Sequence, residues 1–391
     1  MNKINVLKPK YNTQEVLDEI KICLDKGWTG MGFKTIEFEE AWKDYTKLPH
    51  AHFLNSNTSG LHLALNIFGK EGNWEEGDEI ITTPLTFVSS NHAILYEGLV
   101  PVFADVNEHL CLDPKSIKER ITDKTRAIMY VGMGGNTGDM REIQWICEEH
   151  GLKLILDAAH MSGTYTKEMA PDGSGYAICH TGWEADVSVF SFQAVKNLPT
   201  ADSGMICFKE EKYDKLVRQL AWLGIDKDTY SRSDDKGSYK WKYDVPNVGF
   251  KYHGNSVMAS IGLVQLKYID EDNDYRNQIA KWYDELLDSV DGVKKIPLNW
   301  VVDKSSRHLY QILVDEDKRD DIITHFYEND IYPGVHYIDN TLYPMYKYAH
   351  GTCPNAHKYS KQLITLPIHW DVKKDECERI IESLGDVIWK K

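Results

Sequence analysis

The sequence predicts a three-layer α/β/α domain with a mostly parallel central sheet, followed by a smaller α+β C-terminal domain. Two observations support this prediction. Between residues 78 and 160, apolar strand-like runs alternate with helical stretches, which is the pattern of βαβ units. After a long helical pattern at residues 256–287, strand and helix patterns are mixed. We therefore predict a large domain over residues 1–255, and a connecting helix with a small domain over residues 256–391.

The predicted elements follow in chain order. An amphipathic pattern predicts a first helix at residues 14–25, which ends at the glycines of KGWTGMG. Further helices are predicted at 35–46 and, after an apolar stretch and a polar turn, at 59–68. The alternating region then predicts strands at 78–84, 100–106, 126–132 and 152–160, and helices at 89–97, 114–120 and 140–150. In the C-terminal part, the patterns predict a strand at 306–314 and helices at 318–328 and 374–384.

Composition and charge exclude several classes of protein. Of the 391 residues 42% are hydrophobic, and the formal net charge of -15 argues against nucleic acid or an anionic membrane as the partner. No stretch approaches the roughly 20 apolar residues of a membrane span, and the first residues lack the apolar core of a signal peptide. Seven scattered cysteines suggest no disulfide framework, so we predict a cytoplasmic protein. Histidine spacing suggests no metal site.

One lysine follows a strand that is predicted to be buried. The run ADVSVFSF at residues 185–192 is β-branched and aromatic, as expected of a strand covered on both faces, and Lys196 comes four residues later. Most lysines are solvated surface charges. At the edge of an α/β sheet, however, ligands bind, and partial burial there would lower the lysine pKa. A lysine that loses its proton can form a Schiff base, so Lys196 is a candidate catalytic residue.

A second candidate is Asp157, which ends the strand LKLIL. An aspartate in this position is often only a turn residue or a helix cap. Its carboxylate could instead hold a heterocyclic nitrogen in the protonated state, because a charge-assisted pair in a water-poor cleft favours the cationic ring. Since Lys196 also follows a strand, both groups could open into one crevice.

Hydroxyl groups near these residues suggest an anion site. Thr58 and Ser59 stand at a predicted helix start, where backbone N–H groups and the helix dipole favour an anion. Ser191 lies five residues before Lys196. These three hydroxyls are candidate phosphate ligands, although each alone is also explained as an ordinary cap or turn residue.

Two further side chains could contact a ring. Phe87 follows a predicted strand and could stack on it, or could simply be a core aromatic. His160 lies three residues after Asp157 and could cover the ring or its oxygen, or could be a hydrogen-bonded structural histidine. With the lysine, the aspartate and the hydroxyls, they would complete a site for an aldehyde cofactor that carries a ring nitrogen and a phosphate.

A series of motifs gives a family resemblance. The segments GWTGMG, NSNTSGLHLAL, GDEIITTPLTFVSSNHAI, VPVFADV, LKLILDAAH, SVFSFQAVKN and GFKYHGNSVMASIGLVQL occur in this order, and VHYIDNTLYPMYK and ITLPIHWDVKKDE follow near the C-terminus. In this order the chain closely resembles the sugar aminotransferases of the DegT/StrS type, a branch of the fold type I pyridoxal phosphate enzymes. Each motif alone is weakly specific, but the series covers nearly the whole chain.

The resemblance implies a cofactor, pyridoxal phosphate, and a role for each candidate residue. Lys196 would be the internal aldimine lysine and proton shuttle, Asp157 would bind the pyridine nitrogen, and His160 would lie near the O3′ atom. Phe87 would stack on the ring. The phosphate would be bound by the hydroxyls of Thr58, Ser59 and Ser191.

The resemblance also implies partners. Members of this family are typically homodimers with active sites at the interface, so the GFKYHGNS segment with His253 and Asn255 would reach the cofactor phosphate of the neighbouring subunit. The substrates would be an amino donor, glutamate or glutamine, and a keto sugar, most simply a nucleotide-linked 4-keto or 3-keto deoxysugar. The substrate would face two loops that contain Trp28, Gly30, His336 and Tyr337.

Departures from the family pattern leave other functions open. Asn57 stands where members commonly have glycine, and Lys251 and His253 replace an asparagine and an arginine. The segment at residues 167–186 is longer than usual, and we expect it close to the active site. The alternatives are an aminotransferase for a small phosphorylated ketone or a cyclitol, a pyridoxal-phosphate-dependent sugar dehydratase, and a non-catalytic regulator that binds the cofactor. Dehydratases of this family characteristically carry histidine at the position of Lys196, which favours transamination.

Overall fold

The structure, a computed structural model, describes residues 3–169, 175–227, 230 and 243–388. Residues 170–174 of the long segment lie outside the described residues. So do residues 1–2, where the predicted large domain begins, and residues 389–391, where the predicted small domain ends. Within them the strands are β1 (Ile4–Asn5), β2 (His52–Leu54), β3 (Glu79–Thr82), β4 (Val100–Phe103), β5 (Thr125–Val131), β6 (Lys153–Asp157), β7 (Tyr165–Met169), β8 (Tyr176–His180), β9 (Val187–Ser191), β10 (Gly204–Phe208), β11 (Lys294–Lys295), β12 (Val302–Lys304), β13 (Tyr310–Leu313), β14 (Ile331–Tyr332) and β15 (Leu363–Leu366).

The α-helices lie between these strands along the chain. In the described residues they are α1 (Thr13–Asp25), α2 (Phe33–Thr46), α3 (Asn57–Gly72), α4 (Val88–Tyr96), α5 (Pro114–Lys118), α6 (Met140–His150), α7 (Glu211–Ala221), α8 (Ser256–Leu266), α9 (Ile269–Leu287), α10 (Glu316–Glu328), α11 (Pro354–Gln362) and α12 (Lys374–Ile388). None of the described helices combines the length and apolar character needed to cross a bilayer.

The central sheet has seven strands in the order β2, β10, β9, β6, β5, β3, β4. Strand β10 is antiparallel to both of its neighbours, and the other pairs are parallel. The predicted mostly parallel sheet is therefore confirmed. Because β2, β3, β5, β6 and β9 run in the same direction, the residues that follow them meet at one edge of the sheet.

Alternation along each strand builds the three layers. In β5, Ala127 and Met129 pack on one face with helices α3, α4 and α7, and Ile128 and Tyr130 pack on the other with α2, α6 and α8. All four side chains are fully buried. The sheet is thus covered by helices on both faces, as the apolar strand runs predict.

The C-terminal part has its own sheet and core. Strands β11, β13 and β15 form an antiparallel sheet, and α9, α10 and α12 pack on it through a cluster that includes Ile279, Ile322 and Ile380. The N-terminal strand β1 pairs with β14, so the start of the chain is attached to this part. The boundary between residues 255 and 256 stays a prediction.

Three local features differ from the sequence prediction. The predicted helix at 256–287 is two helices, α8 and α9, and the second begins afresh after Tyr268 with an acidic first turn that suits a helix N-terminus. Helix α3 begins at Asn57 instead of residue 59, because Ser56 caps it by accepting a hydrogen bond from the Ser59 N–H at 3.1 Å. Strands β7 and β8, which pair with each other, were not predicted, and neither was the pairing of β7 with β12.

The aromatic core under helix α2 gives a stability prediction. Trp42 is fully buried, with ring centroids 5.0 Å from those of Phe190 and Phe192. Trp42→Ala should therefore lower the free energy of unfolding by about 3 to 5 kcal/mol in chemical denaturation, through lost burial and a cavity. The matched control is Trp145→Ala, because Trp145 is 60% exposed, and a change within about 0.5 kcal/mol is expected. Equal losses in both variants would contradict this assignment of the core.

Candidate active site

A cavity of about 510 Å³ opens where the parallel strands of the central sheet end. Its walls come from residues that follow β2, β3, β6 and β9, with Leu7 from the N-terminal segment and further side chains from the C-terminal part. Eight of the predicted site residues line it: Thr58, Phe87, Asp157, His160, Ser191, Lys196, His336 and Tyr337.

The other five predicted residues do not line this cavity. Ser59 faces away, and its hydroxyl donates to Asn55 Oδ1 at 2.8 Å. Asn255 caps α8 by accepting from the Met258 N–H at 3.0 Å, and the next residue, Ser256, bonds to the carbonyl of Gly30. Trp28 and His253 lie in the same region, where each packs against another aromatic ring. Their roles stay predictions, and for His253 and Asn255 the expected partner is the cofactor of a second subunit.

Asp157 is a buried carboxylate that is held by three hydrogen bonds. Its Oδ2 accepts from the Ser90 hydroxyl at 2.7 Å, and its Oδ1 accepts from the Asn57 amide at 3.2 Å and from the Ala159 N–H at 3.1 Å. Burial raises its pKa, and the nearby charge of Lys196 together with these bonds opposes that rise. A cationic group that entered the cavity beside Asp157 would stabilise the ionised form.

Lys196 follows β9 in a turn in which its N–H donates to the Gln193 carbonyl at 2.8 Å. The side chain is partly exposed because it opens into the cavity, but its amino group is surrounded by protein. This loss of hydration lowers the lysine pKa to about 8, although the Asp157 charge acts in the opposite direction. The amino group can therefore both hold and release a proton near neutral pH.

His160 and Tyr337 form a pair on one wall of the cavity. His160 Nδ1 accepts from the Gly134 N–H at 3.2 Å, and its Nε2 lies 3.2 Å from the Tyr337 hydroxyl. Burial and the Lys196 charge keep the His160 pKa well below its usual value, so the ring is neutral and carries its proton on Nε2. With the His160 N–H directed at it, the Tyr337 hydroxyl can offer its own O–H as a neutral donor, without adding positive charge, to an oxygen bound beside it.

The start of helix α3 presents hydrogen-bond donors to the cavity. The first N–H groups of a helix lack intrahelical partners, and α3 opens onto the cavity at Ser56, Asn57 and Thr58. Ser191 lines the cavity beside them. Hydroxyls, free N–H groups and the positive end of the helix dipole thus converge at one end of the cavity, which suits a phosphate group.

Several residues of the site were missed by sequence reasoning. Ser56 could have been found, because a serine three residues before Ser59 is a typical helix cap. Ser90 gave no signal, since a serine in the first turn of α4 is ordinary. Asn57 appeared only as a departure from the family glycine. In the structure its amide donates to both Asp157 and the Val189 carbonyl, so this asparagine braces the carboxylate.

The described residues of the extra segment, 167–169 and 175–186, do not contribute to the walls of this cavity. None of its described residues lines the cavity, so the expectation that it sits close to the active site is not met for them. Tyr176 of β8 instead lines a surface groove together with Trp145 and Trp300.

With this geometry in place, comparison with known proteins decides the family. Residues 10–385 match the DegT/DnrJ/EryC1/StrS aminotransferase family. The chain belongs to this family. The predicted enzyme class, an aminotransferase, and the predicted family membership are therefore confirmed.

Relatives of known name lie within the same family. The chain is 32% identical over 392 residues to the spore coat polysaccharide biosynthesis protein SpsC of Bacillus subtilis, with 96% of this chain and 95% of the relative covered.

Among solved structures, the aminotransferase TlmJ of Streptoalloteichus hindustanus is similar with a TM-score of 0.86 at 29% identity, and 98% of each chain is covered. The PLP-form of the putative sugar aminotransferase Spr1654 of Streptococcus pneumoniae gives a TM-score of 0.87 at 27% identity, covering 99% of this chain and 98% of that one. These similarities confirm the predicted fold type I architecture.

Proposed function

We propose that this aminotransferase moves an amino group from glutamate or glutamine to a keto sugar, and that the sugar is a nucleotide-linked 4-keto or 3-keto deoxysugar. The observation that carries the proposal is the single cavity that holds Lys196, Asp157 and the anion site at the start of α3. The names of the relatives support a sugar as the acceptor, since SpsC is a polysaccharide biosynthesis protein and Spr1654 a putative sugar aminotransferase.

The cofactor is pyridoxal phosphate, and the side chains of the cavity fit it. Asp157 would hold the ring nitrogen and Lys196 the aldehyde carbon. The phosphate would lie at the start of α3, near Thr58 and Ser191. Phe87, whose ring is 60% exposed at the cavity, would cover one face. When bound, pyridoxal phosphate supplies an electron sink for the electrons left when the amino donor loses its α-proton.

The residues of the chain supply the proton transfers. Because its pKa is lowered to about 8, Lys196 Nζ can take the proton from the α-carbon of the amino donor as a general base and return it as a general acid. The Asp157 carboxylate would keep a proton on the ring nitrogen, and the bonds from Ser90 and Asn57 hold that carboxylate in place. The same steps in reverse, on a ketone, yield an amine.

A homodimer with interface active sites fits the arrangement of the described residues. His253 and Asn255, which the family resemblance assigns to a cofactor phosphate, lie outside the cavity of their own chain. In a dimer they would complete the site of the partner subunit. We also propose a cytoplasmic location, which the scattered cysteines of the sequence support.

A substrate panel tests the proposal. The purified enzyme should transfer the amino group of glutamate or glutamine to a nucleotide-linked 4-keto or 3-keto deoxysugar, with the product detected by mass spectrometry. Small phosphorylated ketones and cyclitol ketones are the comparison arm. Turnover confined to that arm would replace the proposed acceptor, and loss of a sugar hydroxyl without amine formation would identify a dehydratase. Bound cofactor with no reaction towards any amino donor would identify a binding protein.

A further inference from the structure

His308 was not among the predicted site residues, yet it lines the cavity that contains Lys196. It is 1% exposed and precedes strand β13. The residue before it, Arg307, has a φ of 43°, a left-handed conformation that is uncommon for a residue with a side chain. On the other side of this turn, the Ser306 hydroxyl donates to the His160 carbonyl. The turn therefore fixes the His308 ring against the active site.

The hydrogen bonds around Asn197 determine which nitrogen of His308 carries the proton. Asn197 Nδ2 donates to Asn273 Oδ1 at 2.6 Å and to the Ser306 carbonyl at 2.7 Å, so Asn197 Oδ1 is the acceptor of this amide. Asn197 Oδ1 lies 2.9 Å from His308 Nδ1, which must be the donor. Burial and the Lys196 charge keep the His308 pKa well below its usual value, so the ring is neutral and Nε2 is an acceptor.

His160 and His308, two of the three histidines that line the cavity, therefore present different groups. Their ring centroids are 4.4 Å apart, but His160 directs an N–H at the Tyr337 hydroxyl, whereas His308 has a bare nitrogen. In the described residues, His308 Nε2 has no hydrogen-bond partner within the chain. A buried acceptor that faces a cavity is stabilised by a donor, and Lys196, the residue next to Asn197, is a donor with three N–H bonds.

The other ionisable groups on the cavity wall are less suited to this donor. Asp157 already accepts three hydrogen bonds, His336 Nδ1 bonds to Thr365, and Asp202 is exposed at the rim. His160 and Tyr337 bond to each other. His336 Nε2 is also open on this wall, but His308 is the histidine whose other nitrogen is bonded to Asn197, the residue next to Lys196.

We propose that His308 is a positioning residue, whose Nε2 accepts a hydrogen bond from the ammonium group of Lys196 when this group is not joined to the cofactor. The inference rests on the proposed role of Lys196 in proton transfer. A charged amine without a partner in a buried cavity is costly, so the bond would stabilise the charged lysine and keep it within reach of the reacting carbon. The same ring also holds Asn197, the next residue of the chain.

Two replacements separate the nitrogens of His308. In His308→Asn the side-chain amide can take the place of Nδ1 and keep the bond to Asn197, but nothing replaces Nε2. In His308→Gln the longer side chain can place an amide oxygen near the position of Nε2. The Lys196 titration is followed in the apoenzyme by NMR with ¹³C-labelled lysine, and its signal is assigned by its absence in Lys196→Ala.

Loss of hydration and the Asp157 charge by themselves set the Lys196 pKa at about 8, so with the bond to His308 the titration midpoint of the unmodified apoenzyme should lie above a pH of about 8. In His308→Asn we expect this midpoint to fall by roughly one pH unit or more, because a hydrogen bond to a charged group is lost. In His308→Gln it should stay within about half a unit, because an acceptor for the ammonium remains. Near-ultraviolet circular dichroism checks that both variants keep native packing.

An unchanged midpoint in His308→Asn, or an equal fall in both variants, would overturn the proposal. If His308→Asn does not fold, His308→Met replaces it as the variant of similar size without an acceptor, and the same outcomes apply. The proposed function fails separately, if Lys196→Ala retains transaminase activity. If the Lys196 titration midpoint in the His308 variants equals that of the unmodified apoenzyme, only the proposed role of His308 fails, and the proposed function of the enzyme is unaffected.

Discussion

Replacement of Lys196 by alanine is expected to abolish amino transfer. The amino group of Lys196 is the proposed base and acid of the reaction, and a positioned group of this kind contributes roughly 10² to 10⁴ in rate. We expect kcat to fall by on the order of 10⁴, because the same residue also holds the cofactor. The loss of the visible absorbance of the lysine-bound cofactor should accompany the loss of activity.

Lys196→Arg provides the matched control for charge. Arginine keeps the positive charge but does not release its proton at any working pH, so it should be as inactive as alanine. Lys215→Ala is the control for lysine removal as such, since Lys215 has a 71% exposed side chain that pairs with Glu211, and the activity of this variant should be unchanged. Transamination retained in Lys196→Ala would show that another group moves the proton.

Asp157→Asn should separate activity from stability. The amide can keep a polar side chain in the pocket formed by Ser90, Asn57 and Ala159, but it cannot pair with a protonated ring nitrogen. A hydrogen bond to a charged group is worth about 1.5 to 3 kcal/mol, so we expect kcat to fall by about 10- to 100-fold or more. Steady-state kinetics on the cofactor-loaded variant measures this loss.

The stability of the same variant should move in the opposite direction. Because burial raises the pKa of Asp157 above 3.8, the folded chain binds this proton more tightly than the unfolded chain. The folded protein therefore loses stability as the pH rises from about 4 through the folded pKa, because Asp157 must then ionise in a buried site. Asparagine removes this cost, and the apoenzyme variant at pH 7 should unfold at the same denaturant concentration as the unmodified protein or at a higher one.

Contradictory results would be informative. If Asp157→Asn were as active as the unmodified enzyme, another group would serve the ring nitrogen. If the variant lost both activity and stability, the hydrogen bonds to Ser90 and Asn57 would depend on the charge of Asp157. The separated result supports the proposed role.

Much of the fold follows from the order of local patterns. The alternation of apolar strands and helices is enough to predict a parallel sheet. The prediction that Lys196 and Asp157 open into one crevice rests on one rule: residues that follow parallel strands meet at one edge. Asp157 ends β6, and Lys196 follows β9, its neighbour in the sheet. Phe87, Thr58 and Ser191 were found for the same reason. Each is close in sequence to the strand or helix end that places it.

What local patterns did not reveal is the set of contacts between distant parts of the chain. Strand β7 pairs with β8 and also with β12, which lies more than a hundred residues later, and no short-range pattern indicates that distant pairing. The break between α8 and α9 is equally invisible in a continuous helical pattern. His308 sits in an apolar run that predicts only a strand, and its importance appears once the Arg307 turn brings it against His160.

The sequence by itself therefore determined the layered architecture and the family, and it predicted that Lys196, Asp157, Thr58 and Ser191 lie near one crevice, because each of these depends on residues that are neighbours along the chain. Only the tertiary structure decided the protonation of the histidines, the bracing of Asp157 by Asn57 and Ser90, and the lowered pKa of Lys196. These properties depend on burial and on hydrogen bonds between residues far apart in sequence, which the chain acquires only on folding.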